Sequence, residues 1–286
     1  MMRDRFFSMP RFLNCCQKDL VENWRTNVLR LVVMYGALAV IFIWISYLRY
    51  DYWDSSNATF YLEKLQMTDS QYRDPVWDAQ FGVGCFYIFI MGTLSASLVM
   101  EFMKDRRRGI SALMLPATTF EKYFSRWLIY TLGFLLAYAV AFVLADLTRV
   151  FIYSLVYPDF TQAIQTFPYG HLADENLFGP IFSTGLNTLV CFSLYFAVQS
   201  LYVLGSALWP KNAFIKTSAA LIVVNSIFVT VLVILVDSLH FGPYAHFVME
   251  EETALTLVTC LLFVFAIFCW VTAYYRLKEA EIINRW

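Results

Sequence analysis

Six long stretches of the sequence contain no Asp, Glu, Lys or Arg, and they constrain the fold more than any other feature. They cover 31–48, 81–100, 127–145, 181–209, 217–236 and 253–275. About 20 apolar residues are enough for a helix to cross a bilayer core of roughly 30 Å. Because no stretch alternates at period two, an outer-membrane barrel is disfavoured. The sequence predicts an all-α, polytopic membrane protein with six transmembrane helices in one domain.

The third stretch has two interpretations. After Asp146 and Arg149 the chain is apolar again over 150–157, until Pro158. Either the helix continues to Tyr157, or it ends and a short interfacial segment follows.

The composition excludes most soluble proteins. Hydrophobic residues make up 59% of the 286 residues and charged residues 15%, whereas soluble domains have about 45–50% and about 25%. A soluble enzyme and a disordered chain are therefore both disfavoured. The net charge of −1 argues against nucleic acid as the main partner.

The basic residues predict the orientation of the chain. Of the 21 Lys and Arg residues, 17 lie in the N-terminal segment, in the loops 101–126 and 210–216, and in the tail. Cytoplasmic segments are enriched in Lys and Arg. Both termini are therefore predicted to be cytoplasmic.

A short helix is predicted before the first span, over 10–28. Its apolar positions recur at three- and four-residue spacing. They are Phe12, Leu13, Cys16, Leu20, Val21, Trp24 and Val28. Polar residues lie between them, which is typical of an amphipathic helix in the membrane interface. The alternative is an ordinary positively charged flank.

The last outer loop, 237–252, has an apolar middle with Gly242 followed by Pro243. It is either a surface loop or a re-entrant hairpin in the outer leaflet, which requires that protein bury its backbone.

The sequence lacks the motifs of the common catalytic and metal sites. It has no Gly-Lys pair of a phosphate-binding loop, no His-Glu-x-x-His and no Cys-x-x-Cys. We therefore predict no catalytic residues, no metal and no cofactor. An intramembrane enzyme is disfavoured, because the sequence offers no catalytic pair. Asp146 and Arg149 are three residues apart, so on a helix they can form an ion pair. We interpret them as a snorkelling interfacial pair, with a substrate contact as the alternative.

The second cytoplasmic loop, 101–126, has the most local structure. Thr118 followed by Glu121 is a capping-box signal for a new helix, and Pro116 restricts the residue before it to extended backbone. Leu113, Met114 and Leu115 form an apolar segment on a face expected to be wet. Exposed apolar groups of this kind indicate a docking surface.

This loop resembles that of a known family. Leu113, Met114, Leu115, Pro116 and Thr118, followed by Glu121, Lys122 and Arg126, are similar to the "LLPxS…EK" coupling loop of bacterial ATP-binding-cassette permeases of the type-2 exporter class. Thr118 stands where Ser is commoner. The motif covers about fifteen residues, while the interfacial helix, six spans and inner termini resemble the family over nearly the whole chain.

The resemblance implies a permease subunit in the bacterial cytoplasmic (inner) membrane that dimerises with a second copy or a homologue and binds a separate ATPase subunit. The implied ATPase contacts are Leu113, Met114, Leu115, Pro116, Thr118, Glu121 and Lys122, then Glu101, Arg106, Arg107 and Arg108. The arginines are equally well explained as determinants of topology. The alternative function is a membrane scaffold or sensor partner that works through its acidic outer loops.

Overall fold

The computed structural model describes residues 7–50, 76–104, 109, 114–158, 161, 164–169, 185–238 and 251–283. These residues form eight α-helices and contain no strand. The helices are α1 (Met9–Glu22), α2 (Trp24–Tyr50), α3 (Trp77–Ala96), α4 (Thr119–Leu128), α5 (Phe134–Val156), α6 (Gly185–Leu208), α7 (Ala213–Ser238) and α8 (Glu251–Ile283). A 3-10 turn covers Glu101–Lys104, and a π-helical turn, Ile129–Gly133, joins α4 to α5.

Within the described residues, six helical segments are long and apolar enough to cross a membrane, as predicted. Their ends differ from the sequence-based ranges by several residues. The largest difference is in the third segment, which is helical from Thr119 to Val156. Of its two interpretations, the continuous helix is therefore correct, and Tyr157 caps it by donating its N–H to the Tyr153 carbonyl. The first predicted outer loop, apart from its ends, and residues 239–250 of the last predicted outer loop lie outside the described residues.

The predicted N-terminal helix over 10–28 is divided in the structure. The helix α1 ends at Glu22, and residues 24–28 already belong to α2. The break is at Asn23, whose side-chain amide donates to the Asp19 carbonyl over 3.2 Å. Asn competes in this way for backbone hydrogen bonds. The location of α1 in the membrane interface remains a prediction.

The helix α1 has two apolar faces. Phe12 and Cys15 are buried, whereas Met9, Leu13 and Leu20 are 47–57% exposed. The exposed three recur at four- and seven-residue spacing, so they share one face. An apolar face that the described residues leave exposed is what an interfacial helix presents to lipid.

The chain divides into two compact units. Unit 1 comprises 1–17, 91–131 and 189–286, and unit 2 comprises 18–90 and 132–188. One cluster of buried apolar side chains in unit 1 is formed by the end of α3 and the turn after it, by the 3-10 turn, and by α4, α6 and α8. Its members are Ala96, Val99, Met100, Phe102, Tyr123, Tyr202, Val203, Ala273 and Leu277.

In unit 2 the helices α2 and α5 pack side by side. Phe42 meets Phe142 edge to face at 5.0 Å, and the Tyr153 hydroxyl donates to the Ile43 carbonyl over 2.9 Å. Tyr35 and Thr148 share a hydrogen bond of 2.8 Å. Bonds of this kind between helices satisfy polar groups that lipid cannot.

Candidate functional site

The coupling segment, which we define as 114–122, leads from a turn into α4. Met114 is 79% exposed, Pro116 is exposed, and Leu115 and Lys122 are half-buried. Of the other residues that the sequence singled out, Glu101 is half-buried in the 3-10 turn. Leu113, Arg106, Arg107 and Arg108 lie outside the described residues.

The predicted capping box is confirmed. Thr118 has extended backbone (φ −69°, ψ 154°), and its hydroxyl accepts from the Glu121 N–H over 3.2 Å. In return the Thr118 N–H donates to Glu121 Oε2 over 2.9 Å. These reciprocal bonds satisfy two backbone donors that a helix start otherwise leaves unpaired. They fix the point at which the coupling segment becomes helix α4.

Glu121 is fully buried and also holds the N-terminal helix. Its Oε1 accepts from the Ser8 N–H over 2.6 Å and from Arg11 Nη2 over 3.2 Å. The carboxylate thus accepts from two backbone N–H groups and one guanidinium. Because its side chain is enclosed, Glu121 orients the coupling segment instead of presenting charge on its surface. Sequence reasoning missed Ser8 and Arg11, and no local signal points across more than 100 residues.

Aromatic rings attach α4 to α1 within unit 1. Phe7 meets Phe120 edge to face at 6.3 Å, and Phe12 lies 5.3 Å from Phe124. Phe120 and Phe124 stack on each other at 5.6 Å. Aromatic pairs at such distances add to the stabilisation from burial. The helix α1 is therefore held to α4 by both the carboxylate and the rings.

A second set of contacts attaches α4 to α8. Trp127 meets Trp270 edge to face at 5.1 Å, and Phe120 meets Tyr274 in the same way at 6.0 Å. The Tyr123 hydroxyl donates to the Trp270 carbonyl over 2.9 Å. The helix that follows the coupling segment is thus packed against two other helices of unit 1.

The 3-10 turn also contacts α4. The Arg126 guanidinium lies over the Phe102 ring, 3.9 Å from its centroid, within the range of a cation–π interaction. This contact links the two ends of the loop 101–126.

Asp146 and Arg149 form a salt bridge in unit 2, with 3.0 Å between Asp146 Oδ1 and Arg149 Nη2. Both side chains are fully buried, so the ion pair forms but its interpretation as a pair that snorkels toward water is wrong. Asp146 also accepts from Gln80 Nε2 (2.8 Å), the Phe167 N–H (2.8 Å) and the Tyr169 hydroxyl (3.1 Å). These three donors belong to α3 and to the segment 164–169.

Arg149 is equally well paired. Its Nη1 donates to the Tyr50 hydroxyl over 3.0 Å, and its Nη2 donates to the Gln165 carbonyl over 2.6 Å. The pair therefore ties α5 to α2, α3 and the segment 164–169. A buried charge pair is tolerated when hydrogen bonds satisfy its remaining donors and acceptors.

Neither cluster has the composition of a metal site. Among the described residues, no three His, Cys, Asp or Glu side chains are grouped to hold an ion. The three histidines of the sequence, His171, His240 and His246, lie outside those residues. The carboxylates of Glu121 and Asp146 accept hydrogen bonds from N–H and O–H groups. This geometry suits a role in holding helices together.

No protein-family model, no curated protein and no solved structure matches this chain.

Proposed function

We propose that this chain is the permease subunit of an ATP-driven exporter and that the coupling segment is where a separate ATPase subunit binds. The observation that carries the proposal is an exposed apolar turn joined to a helix that is packed against two others. Met114 is 79% exposed, and it lies four residues before a fully bonded capping box. An exposed apolar residue on a rigid base is a suitable anchor for a partner protein.

The residues of the coupling segment then have different roles. Met114, Leu115 and Pro116 contact the ATPase directly, with Leu113 beside them. Glu121 is a positioning residue, since its carboxylate is enclosed by α1 and the capping box. Thr118 and Lys122 flank it, and Glu101, Arg106, Arg107 and Arg108 extend the contact along the loop.

Movement of the ATPase passes into the membrane helices through α4. The contacts of α4 with α8, at Trp127–Trp270 and Phe120–Tyr274, allow a displaced coupling segment to carry α8 with it. Two discrete arrangements of packed helices are what an alternating transporter needs. The permease itself has no catalytic residues, metal or cofactor, because ATP hydrolysis occurs in the partner.

The permease acts as a dimer in a bacterial cytoplasmic membrane, with both termini inside. A dimer supplies two coupling segments for two ATPase subunits. The scaffold alternative depends on outer loops that lie largely outside the described residues.

Purification from native membranes tests the proposal. We expect the chain to co-purify with a subunit that contains a Walker motif and hydrolyses ATP. Met114→Glu places a charge in the apolar contact and should remove most of that subunit. Asn14→Glu, which adds the same charge at an exposed position of α1, is the matched control and should retain it. A chain that purifies without ATPase activity, or a Met114→Glu variant that keeps its partner, contradicts the proposal.

Glu121→Gln separates contact from coupling. The exposed residues remain, so the ATPase should still bind. Because the carboxylate no longer orients the segment, ATP hydrolysis should continue while transport falls. If Glu121→Gln loses as much ATPase binding as Met114→Glu, Glu121 contributes to the binding itself and is more than a positioning residue.

A further inference from the structure

The helix α7 packs against its own unit along its first half. The Phe214 ring stacks on Tyr202 at 5.5 Å, and Ser218 shares a hydrogen bond of 2.9 Å with the Tyr202 hydroxyl. Thr217 is buried against Gly205, where an added methyl group would collide with it. Leu221 is the last residue of the helix that packs on the core of unit 1.

Beyond Leu221 the helix is exposed wherever its side chains are described. Every side chain described from Ile222 to Ile234 is exposed, and 6% of the apolar window of α7 is buried, against 44% for α6. The bare part is about 20 Å long, at 1.5 Å per residue. Its apolar side chains can contact lipid tails, so their exposure requires no protein partner.

Asn225 is the exception on this bare surface. It lies at the middle of the 26-residue helix, on the same face as Phe214, Ser218 and Leu221 by helical spacing. Its side chain is exposed and makes no hydrogen bond with any side chain or backbone group that the structure describes. By contrast, the hydroxyls of Ser226 and Thr230 are satisfied within the helix by the Ile222 and Ser226 carbonyls.

A carboxamide in hydrocarbon lacks the hydrogen bonds that water would provide, which costs free energy. Lipid tails cannot restore these bonds. Polar side chains in spans are accordingly satisfied across helices. Asn225 therefore indicates a protein partner for the second half of α7.

We propose that this partner is a second copy of the chain and that Asn225 bonds to its own counterpart. A carboxamide contains both a donor and an acceptor, so two of them are mutually complementary across a two-fold axis. Two copies with the same orientation place residue 225 at the same depth, which an unrelated helix does not guarantee. Phe228 and Val229, on the same face and more than half exposed, pack around the pair. The inference rests on the dimer of the proposed function and adds the contact surface.

Cross-linking in native membranes tests this contact. Asn225→Cys should form a disulfide-linked dimer on mild oxidation, above the baseline that the six native cysteines give in the unchanged chain. Ile227→Cys is the matched control, because Ile227 is 59% exposed at nearly the same depth and lies on the opposite face. It should stay at the baseline.

Co-purification of two differently tagged copies is measured alongside. Cross-linking at 225 and not at 227, with co-purifying copies, supports the inference. Co-purifying copies with equal cross-linking at both positions, or none at 225, overturn the inference and leave the dimer in place. If the copies do not co-purify, the dimer fails and this contact fails with it, while the ATPase experiment above still tests the coupling segment.

Substitutions of the amide provide a second readout. Asn225→Leu removes the hydrogen bonds and suits lipid, so it should weaken dimerisation in detergent about fivefold. Asn225→Gln keeps a carboxamide and should weaken it less. Unchanged dimerisation of Asn225→Leu would overturn the inference.

Discussion

Both units bury a carboxylate beside an arginine, but the two clusters have different surroundings. In unit 1 Glu121 and Arg11 are 110 residues apart, and the Arg11 side chain is 36% exposed. In unit 2 Asp146 and Arg149 are three residues apart, and neither side chain is exposed. Glu121 accepts two of its hydrogen bonds from backbone N–H groups. Asp146 instead accepts from side chains of α3 and α5, those of Gln80 and Arg149.

The difference indicates two kinds of attachment. Solvent at Arg11 can replace a lost bond, so the attachment of α1 to α4 can open at moderate cost. No solvent reaches Asp146 or Arg149, and separating them would leave a bare charge in an apolar interior. We infer that the attachment of α1 to α4 in unit 1 opens more easily, whereas the cluster of unit 2 holds its helices more firmly.

The largest expected effect comes from breaking the pair in unit 2. Asp146→Leu leaves the Arg149 charge buried without its carboxylate and should cost about 3–5 kcal/mol in the free energy of unfolding. The measurement is unfolding by denaturant in detergent. The double variant Asp146→Leu with Arg149→Met removes both charges and should recover part of that loss. If Asp146→Leu lowers the free energy of unfolding by less than about 1 kcal/mol, the loss of one ordinary hydrogen bond, the two clusters do not differ in how firmly they hold their helices.

Glu121→Gln should have a smaller and local effect. The amide brings an N–H group into a site that already contains three N–H donors, and the expected cost is about 2 kcal/mol. Hydrogen exchange should accelerate in 8–22 and 118–124. Peptides from α5 should be unchanged, and faster exchange there would show that the effect is global.

Arg11→Met should cost about 1 kcal/mol, because a half-exposed ion pair contributes modestly. The backbone donors of Ser8 and Thr118 remain at the carboxylate. Lys18→Met is the matched control in the same helix, since Lys18 pairs with the exposed Glu22 at 3.5 Å, and it should change stability by less than about 0.5 kcal/mol. Stability is again measured by unfolding in detergent, and equal effects of the two changes would deny Arg11 a special role.

The smallest effect is expected for Tyr169→Phe. It removes one of the donors to Asp146 Oδ2 and leaves the Phe167 N–H in place. The expected cost is about 0.5–1 kcal/mol. Tyr47→Phe, at an exposed tyrosine of α2, should be neutral in the same unfolding measurement. A cost above 2 kcal/mol would show that the segment 164–169 depends mainly on this hydroxyl.

Features whose causes are local in sequence were predictable. The six spans follow from charge-free runs of sufficient length, and the start of α4 follows from Thr118 and Glu121, three residues apart. The spacing of Asp146 and Arg149 likewise permitted an ion pair. In each case the interacting groups lie within one helical turn or one span, so a window of sequence contains the whole interaction.

Features that depend on distant partners were not predictable. The sequence placed Glu121 among the surface contacts, and its burial follows from Ser8 and Arg11, more than 100 residues earlier. The interfacial interpretation of Asp146 and Arg149 gave no sign of Tyr50, Gln80 or the segment 164–169. The sequence shows only that Asp146 and Arg149 follow a charge-free run. Their neighbours in space decide whether they are solvated.

By itself the sequence determined the six helices able to cross a membrane that the described residues form, because lipid imposes a length and an absence of charge that can be counted. It also determined where α4 begins, since a capping box is a local bond. Only the tertiary structure decided which polar side chains are buried and which are exposed. Glu121 and Asp146 are carboxylates that packing buries and pairs with donors, whereas Asn225 is an amide that the described part of the chain leaves exposed.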